Sequence, residues 1–463
     1  MRISALDGRR VAIWGLGREG LAALTRLRSR LPDQALTMFC SAAEAAGLAG
    51  DAAVQLVCDA PDVDALRAFD VVIKSPGISP YQSPAREAAA RGVQFTSGTA
   101  LWFAEWQARP NRPRVAAITG SKGKSTTTAL VAHLLRAGGH RVLLAGNIGL
   151  PLLEMLDDLA EADFCVIELS SYQTGDALTP DVALLLNLYP EHLDWHGSVE
   201  AYYRDKCRLL THAHPGVALA PLGQPEVAAR VGQISGLCDL DRQAWQWRDG
   251  FICRDGQPLL DGAELPLPGA HNARNLCAAL AVIDALGVDA TRLLPAVRGF
   301  VPLPHRLQTL GRVDGIRCVN DSISTTPHAS LAALAHFSGS TVALLVGGYD
   351  RGLDWSDFVV AMGQQPPRAI IGMGAQGARI VSALRAAEVK AELHSVADLP
   401  AAVAAGRLCL AQVSLEAEPV LLLSPGAPSF GAYRDYAERG RHFAALNGFD
   451  PALTGQIEGL GLA

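Results

Sequence analysis

The chain is expected to fold as an α/β protein of three successive domains, and three observations predict this. Two apolar runs, one near the start and one after residue 113, each pass through a glycine-rich turn into a helical pattern. Beyond residue 300, strand-like apolar runs alternate with helical stretches, the pattern of a parallel sheet. Proline-bearing joints at 110–113 and 301–305 punctuate a chain of 463 residues, which is long for one hydrophobic core. The expected domains are 1–97, 98–302 and 303–463.

In chain order, Val11-Ala-Ile-Trp14 leads into Gly15-Leu16-Gly17-Arg-Glu-Gly20 and a helical pattern from Leu21. Strand, glycine turn and helix open a Rossmann-type unit. The second strand, Leu36-Thr-Met-Phe-Cys-Ser41, closes without the acidic residue that would hold a nicotinamide cofactor's ribose, so NAD use is not expected. Val71-Val-Ile73 runs into Lys74-Ser75-Pro76-Gly77-Ile-Ser79, a loop suited to close approach of a ligand. A helical stretch at 100–105 follows.

Residues 115–119 read as a buried strand, Gly120-Ser121-Lys122-Gly123 as a tight loop, and Lys124-Ser125-Thr126 as a helix start. Backbone N–H groups and the positive helix end then face one point, which suits nucleotide phosphate. Lys124 adds a cation for the outer phosphates, and Ser125 or Thr126 a hydroxyl for Mg²⁺. The pattern departs from the general phosphate loop, because Ile118 stands where its first glycine is expected. Residues 164–168 form an apolar strand ending in Glu168, a way to bring a carboxylate beside a Mg²⁺-nucleotide. A strand at 182–188 then runs into Asn187-Leu-Tyr-Pro-Glu-His192-Leu-Asp-Trp-His196. His192 and His196 have the i, i+4 spacing of a metal pair, but no general-base Glu lies between them; Mg²⁺ with one imidazole fits better than zinc. Further strands are expected at 316–320, 342–346, 369–373 and 420–423.

Composition narrows the class. Charged residues make up 19% and hydrophobic ones 49%, a globular balance, and the net charge of −6 disfavours a nucleic-acid partner. No apolar stretch is long enough to cross a bilayer and the start lacks a signal-peptide pattern, so a cytoplasmic location without membrane attachment is expected. Nine scattered cysteines without a Cys-x-x-Cys pair are poor material for a disulfide framework.

Taken in order, Ile118 to Thr126, Gly146-Asn147-Ile-Gly149, Glu168-Leu-Ser-Ser-Tyr-Gln173, Asn187 with Glu191-His192-Leu-Asp194, His271-Asn272-Ala-Arg-Asn275 and Leu303-Pro-His-Arg306 resemble the Mur ligases. These are the ATP-dependent amino-acid-adding enzymes of peptidoglycan precursor synthesis. Asn320-Asp321-Ser322 and Leu423-Ser-Pro-Gly-Ala-Pro-Ser429-Phe430 resemble the type that adds glutamate to UDP-N-acetylmuramoyl-L-alanine.

The resemblance, which spans the chain, implies a Rossmann-like first domain, a central phosphate-loop domain and a Rossmann-like third domain. It implies ATP as co-substrate and two Mg²⁺ ions, with Ser125, Glu168 and His192 as ligands and Lys206 supporting one ion as a carbamate. On residue pattern alone Lys206 is a solvated helix lysine. Asn272 and Asn275 match adenine-contacting positions, Arg306 and Asp321 reach the nucleotide, and Lys124 stabilises the transferring phosphoryl group. Asn147 and His192 contact the muramoyl substrate, while Gly15, Leu16, Gly17, Ser75, Pro76 and Gly77 seat its UDP. A monomer is expected.

Where the common D-glutamate type carries lysines, this chain has Ile323 and Tyr349-Asp-Arg351, and Phe430-Gly431 follows Ser429. These stretches resemble a variant that adds L-glutamate and relies on a separate epimerase to invert the product. Thr325, Arg351, Ser429 and Phe430 are then expected to shape the glutamate pocket. The common D-glutamate type, a folylpolyglutamate synthase-like ligase, a dehydrogenase and a non-catalytic nucleotide-binding regulator are the alternatives.

Overall fold

The computed structural model describes residues 1–45, 54–267, 269–350, 352–411, 417–429 and 431–463. The chain divides into two compact units, residues 1–300 with 459–463, and residues 301–458.

The first unit contains two large sheets. Strands β1 (Val11–Trp14), β2 (Leu36–Phe39), β3 (Val54–Val57), β4 (Val71–Lys74) and β5 (Gln94–Thr96) form an all-parallel sheet in the order β3-β2-β1-β4-β5. The order reverses at β1, and the crevice outside the carboxyl ends of β1 and β4 is where such sheets bind ligands. Gly15 takes φ +92° there, and a Cβ on it would lie 2.9 Å from Ser75 Oγ. Only glycine allows this approach.

The second sheet comprises β6 (Arg114–Thr119), β7 (Val142–Gly146), β8 (Phe164–Glu168), β9 (Val182–Leu185), β10 (Val217–Ala220) and β11 (Cys238–Asp239). These lie parallel, in the order β11-β10-β9-β6-β8-β7, and every residue of β7, β8 and β9 is buried. Unbroken apolar runs are what a parallel sheet covered on both faces requires. One apolar core extends from Val11 and Met38 through Trp102 and Trp106 to Ile167 and Leu185, joining the two sheets.

A hairpin sheet follows, β12 (Trp245–Arg248), β13 (Phe251–Arg254) and β14 (Gln257–Asp261), which the sequence reading did not anticipate. Its two turns are Asp249-Gly250 and Asp255-Gly256, all at positive φ, the Asp-Gly signature of tight hairpins.

The second unit holds β15 (Gln308–Val313), β16 (Ile316–Asn320), β17 (Thr341–Val346), β18 (Ala369–Met373), β19 (Glu392–Val396) and β20 (Pro419–Leu423) in the order β15-β16-β20-β17-β18-β19. All pairs are parallel except the β15–β16 hairpin. The α/β fold expected from sequence is thus observed, with mostly parallel sheets. Residues 459–463, assigned to the third domain by the sequence reading, group with the first unit, because β21 (Gly461–Leu462) adds an antiparallel edge to β7.

Candidate active site at the carboxyl ends of the strands

The register of the second sheet sets Ile118 and Gly146 on either side of Glu168. The loops leaving β6, β7 and β8 therefore open on one edge. After β6, Gly120 to Gly123 form the loop and the helix Lys124–Ala137 begins. Gly123 caps it at φ +83°, and a Cβ there would lie 2.5 Å from Asn275 Oδ1. Asn275, on the helix Ala270–Ala285, also donates to Asn272 Oδ1 at 3.3 Å. The two expected adenine-contacting asparagines thus share a helix that packs against the loop.

Sequence reasoning gave Asn187 no role, yet it holds this loop. Its Oδ1 accepts from Lys122 N at 2.8 Å, its Nδ2 donates to Lys122 O at 3.1 Å, and its own carbonyl accepts from Ser121 N at 3.1 Å. Ser121 is buried, with its Oγ 2.8 Å from Tyr202 Oη. The exposed Lys122 side chain pairs with Glu191, and Lys124 Nζ donates to Ser121 O at 3.0 Å. Ser125 is partly exposed at the helix start, whereas Thr126 is buried.

Glu168 is buried at 1% exposure. Its Oε1 accepts from Asn147 Nδ2 at 2.9 Å, and its Oε2 has no hydrogen-bond partner. A buried carboxylate oxygen without a partner is costly unless a cation meets it, so the residues fit a Mg²⁺ ion here.

The helix Val199–Thr211 corrects the pattern-based expectation for Lys206. Instead of facing solvent, Lys206 is 2% exposed; its Nζ donates to Gly120 O at 2.9 Å and lies 5.1 Å from the Tyr202 ring centroid. Burial, reinforced by the nearby Lys124 charge, drives its pKa well below the ordinary lysine value. The shift favours the neutral, nucleophilic form of the amine relative to an exposed lysine.

His192 sits at φ +54°, a strained left-handed conformation of the kind stored at functional sites. Desolvation pulls its imidazole pKa down, so the ring has a free lone pair at neutral pH. His196 points elsewhere: Nδ1 lies 2.8 Å from Asp205 Oδ2 and Nε2 3.0 Å from Ser171 Oγ. Both nitrogens are engaged, which leaves His192 as the single available imidazole of the pair.

The loop expected to seat UDP is tied to this edge. Ser75 Oγ donates to Gly15 O at 3.0 Å, Trp195 Nε1 to Pro76 O at 3.1 Å, and Ser79 Oγ to Trp195 O at 2.7 Å. Leu16 and Gly17 lead into the helix Arg18–Arg30, and Gly77 is exposed. A cavity of about 170 Å³, bordered by Lys74, Tyr81, Asp176, Trp195 and Arg208, lies beside these loops, lined by none of the expected site residues.

The second unit carries Arg306, Asp321, Thr325 and Ser429. Asp321 is 3% exposed; it accepts from Ser424 Oγ at 2.7 Å and Leu307 N at 3.1 Å, while burial raises its pKa. Thr325 and Ser429 follow the carboxyl ends of the adjacent strands β16 and β20. Arg439, absent from the sequence reading, joins the same loops: Nε donates to Ser322 Oγ at 3.1 Å and Nη2 to Ala427 O at 3.0 Å. Arg351 and Phe430 lie outside the described residues.

Residues 118–283 match the model of the Mur ligase middle domain. The chain is 55% identical to a UDP-N-acetylmuramoyl-L-alanine–L-glutamate ligase of Xanthomonas axonopodis pv. citri (strain 306), over the whole of both chains.

This chain belongs to the Mur ligase family.

A second relative of that name, from Xylella fastidiosa (strain Temecula1), is 52% identical, again over both full lengths. Among solved structures, the UDP-N-acetylmuramate-alanine ligase of Thermotoga maritima superposes with a TM-score of 0.57 at 18% identity, covering 94% of this chain and 98% of that one. At that identity the superposition speaks for the fold alone. No described helix is long and apolar enough to cross a membrane.

Proposed function

We propose that this Mur ligase joins glutamate, L-glutamate by preference, to the alanine carboxylate of UDP-N-acetylmuramoyl-L-alanine at the expense of ATP. One observation carries the reading of the site: the buried Glu168 oxygen with no partner, at the edge where the phosphate loop opens. Full-length relatives of the same printed name support the substrate. In this reading the enzyme works as a cytoplasmic monomer, and an epimerase inverts the newly added residue.

A carboxylate is a poor electrophile. The alanine carboxylate therefore attacks the γ-phosphorus of ATP, ADP leaves, and an acyl phosphate forms; the glutamate amine then attacks the acyl carbon and expels phosphate. Gly120 to Gly123 present backbone N–H groups to the phosphates, and Lys124 balances charge on the transferring group. Asn272 and Asn275 hold the adenine, and Arg306 and Asp321 are further nucleotide contacts. Ser125, Glu168 and His192 would hold Mg²⁺, two ions in all, with Lys206 as a carbamate beside one of them. Mg²⁺ supplies charge neutralisation where anionic oxygens crowd together. The low pKa of Lys206 supports carbamate formation, because the neutral amine is the form that reacts with CO₂. Asn147 and His192 orient the muramoyl carboxylate, the Gly15 to Gly17 turn and Ser75 to Gly77 loop seat UDP, and Thr325, Arg351, Ser429 and Phe430 enclose glutamate.

Phosphate release from MgATP and UDP-N-acetylmuramoyl-L-alanine with each glutamate enantiomer tests the proposal. L-glutamate should give the higher kcat/KM. A higher value with D-glutamate reassigns the chain to the common type, and no release with either removes the ligase reading.

A further inference from the structure

The second unit carries a cluster of donors that the ligase chemistry does not use. Glu392 and His394 stand two apart on β19 and share a face. Cys409, 4% exposed, meets them from the helix Leu399–Ala411. Cys409 Sγ lies 3.4 Å from His394 Nε2, that nitrogen lies 3.9 Å from Glu392 Oε2, and one donor atom from each residue falls within 4.8 Å of the other two. We propose that Glu392, His394 and Cys409 bind a transition-metal dication of the zinc class.

The spacings lie close to those of a tetrahedral site. With metal–sulfur and metal–nitrogen bonds of about 2.3 and 2.1 Å, a tetrahedron sets sulfur and nitrogen about 3.6 Å apart, and nitrogen and oxygen about 3.4 Å apart. Small side-chain rotations close the remaining differences. The carboxylate is also held from behind. Arg368 Nη2 pairs with Glu392 Oε1 at 2.5 Å, which leaves Oε2 toward His394, and Glu392 N donates to Arg368 O at 3.0 Å. Such outer contacts orient metal ligands. A sulfur, nitrogen and oxygen donor set suits zinc-like ions and not Mg²⁺, which takes oxygen ligands, so this site does not compete for the ions of the ligase reaction. Binding releases the thiol proton to solvent, and three protein ligands leave a fourth position for water. Because β19 is, among the described strands, the outermost of its sheet, paired there with β18, the ion would clip that edge to the helix covering it.

The test is Co²⁺ titration of the metal-stripped full chain, read by near-ultraviolet thiolate-to-cobalt absorption. The band should saturate at one equivalent, disappear on adding Zn²⁺, and be accompanied by a higher thermal midpoint of the second unit. Cys409→Ser should abolish it, and Cys58→Ser, which changes an exposed cysteine outside the cluster, should not. Should Cys409→Ser fail to fold, His394→Ala alters an exposed side chain and should weaken binding by about 10- to 100-fold. Absence of the band from the parent chain overturns the proposal, as does its persistence at unchanged affinity in His394→Ala or its survival in folded Cys409→Ser.

Discussion

Lys206 is the residue whose surroundings differ most from its sequence neighbourhood. It lies in a helix between Asp205 and Cys207, and nothing in that stretch distinguishes it from a surface lysine, yet it is buried against Tyr202 and Gly120. Under the proposed mechanism the working group is an anion made from that amine. Lys206→Ala should therefore lose at least about 100-fold in turnover, and a small carboxylate such as acetate should restore part of it. Rates measured with and without added carboxylate check this, and equal rescue by a small amine would count against an anionic role. His305 makes a thermodynamic case. It is 2% exposed, its Nδ1 accepts from Asn320 Nδ2 at 2.9 Å, and burial first, then Arg441, lowers its pKa to about 4. Between pH 6.5 and 4 the unfolded chain takes up a proton that the native histidine refuses, so stability falls as pH drops through that window, by roughly 3 kcal/mol in total. His305 has φ +61°, which asparagine tolerates. His305→Asn should flatten the pH dependence of unfolding of the second unit between pH 7 and 4.5, as followed by denaturant titration.

Among the elements, the loop between β6 and its helix depends on two glycines and an asparagine clamp. Gly123→Ala combines a left-handed φ with a clash against Asn275, and should cost about 1 to 2 kcal/mol and weaken ATP binding. The contact part of that penalty should vanish in an Asn275→Ala background. Denaturant titrations of the four proteins measure it, and an unchanged penalty would show that the backbone alone is responsible. The strand–glycine–helix units and the strands β1, β2, β4, β6, β8 and β9 were legible in sequence, because buried parallel strands are unbroken apolar runs and their turns need glycine, whereas β3, β5, β7, β10 and β11 of the same sheets were not anticipated. The hairpins of β12 to β14 were missed: their burial is uneven and their apolar pattern is weak, although Asp249-Gly250 and Asp255-Gly256 signal the turns. Residues such as Glu168 were legible from their place at a strand end. The clamp made by Asn187 and the rivet made by Arg439 were not, since each acts through hydrogen bonds to backbone far away in the chain.

At the scale of the whole molecule, chain order and spatial grouping part company at residue 459. The final segment leaves the second unit and pairs with β7, where Val142 N donates to Ala463 O at 2.8 Å and Arg136 Nη2 to Gly461 O at 3.1 Å. Deleting residues 459–463 should lower the melting temperature of the first unit by several degrees, as expected for losing one to two kcal/mol, and leave that of the second unchanged. Differential scanning calorimetry resolves the two, and an unaltered first transition would mean that the strand adds nothing. This closing strand also sets a timetable. During synthesis on the ribosome, β7 keeps an open edge through the 158 residues of the second unit, Val301–Glu458, and an open edge is a template for pairing with other chains. The sheet that carries the 120–123 loop gains this edge strand only after the whole second unit has been translated, so the first unit of a nascent chain lacks it throughout that interval.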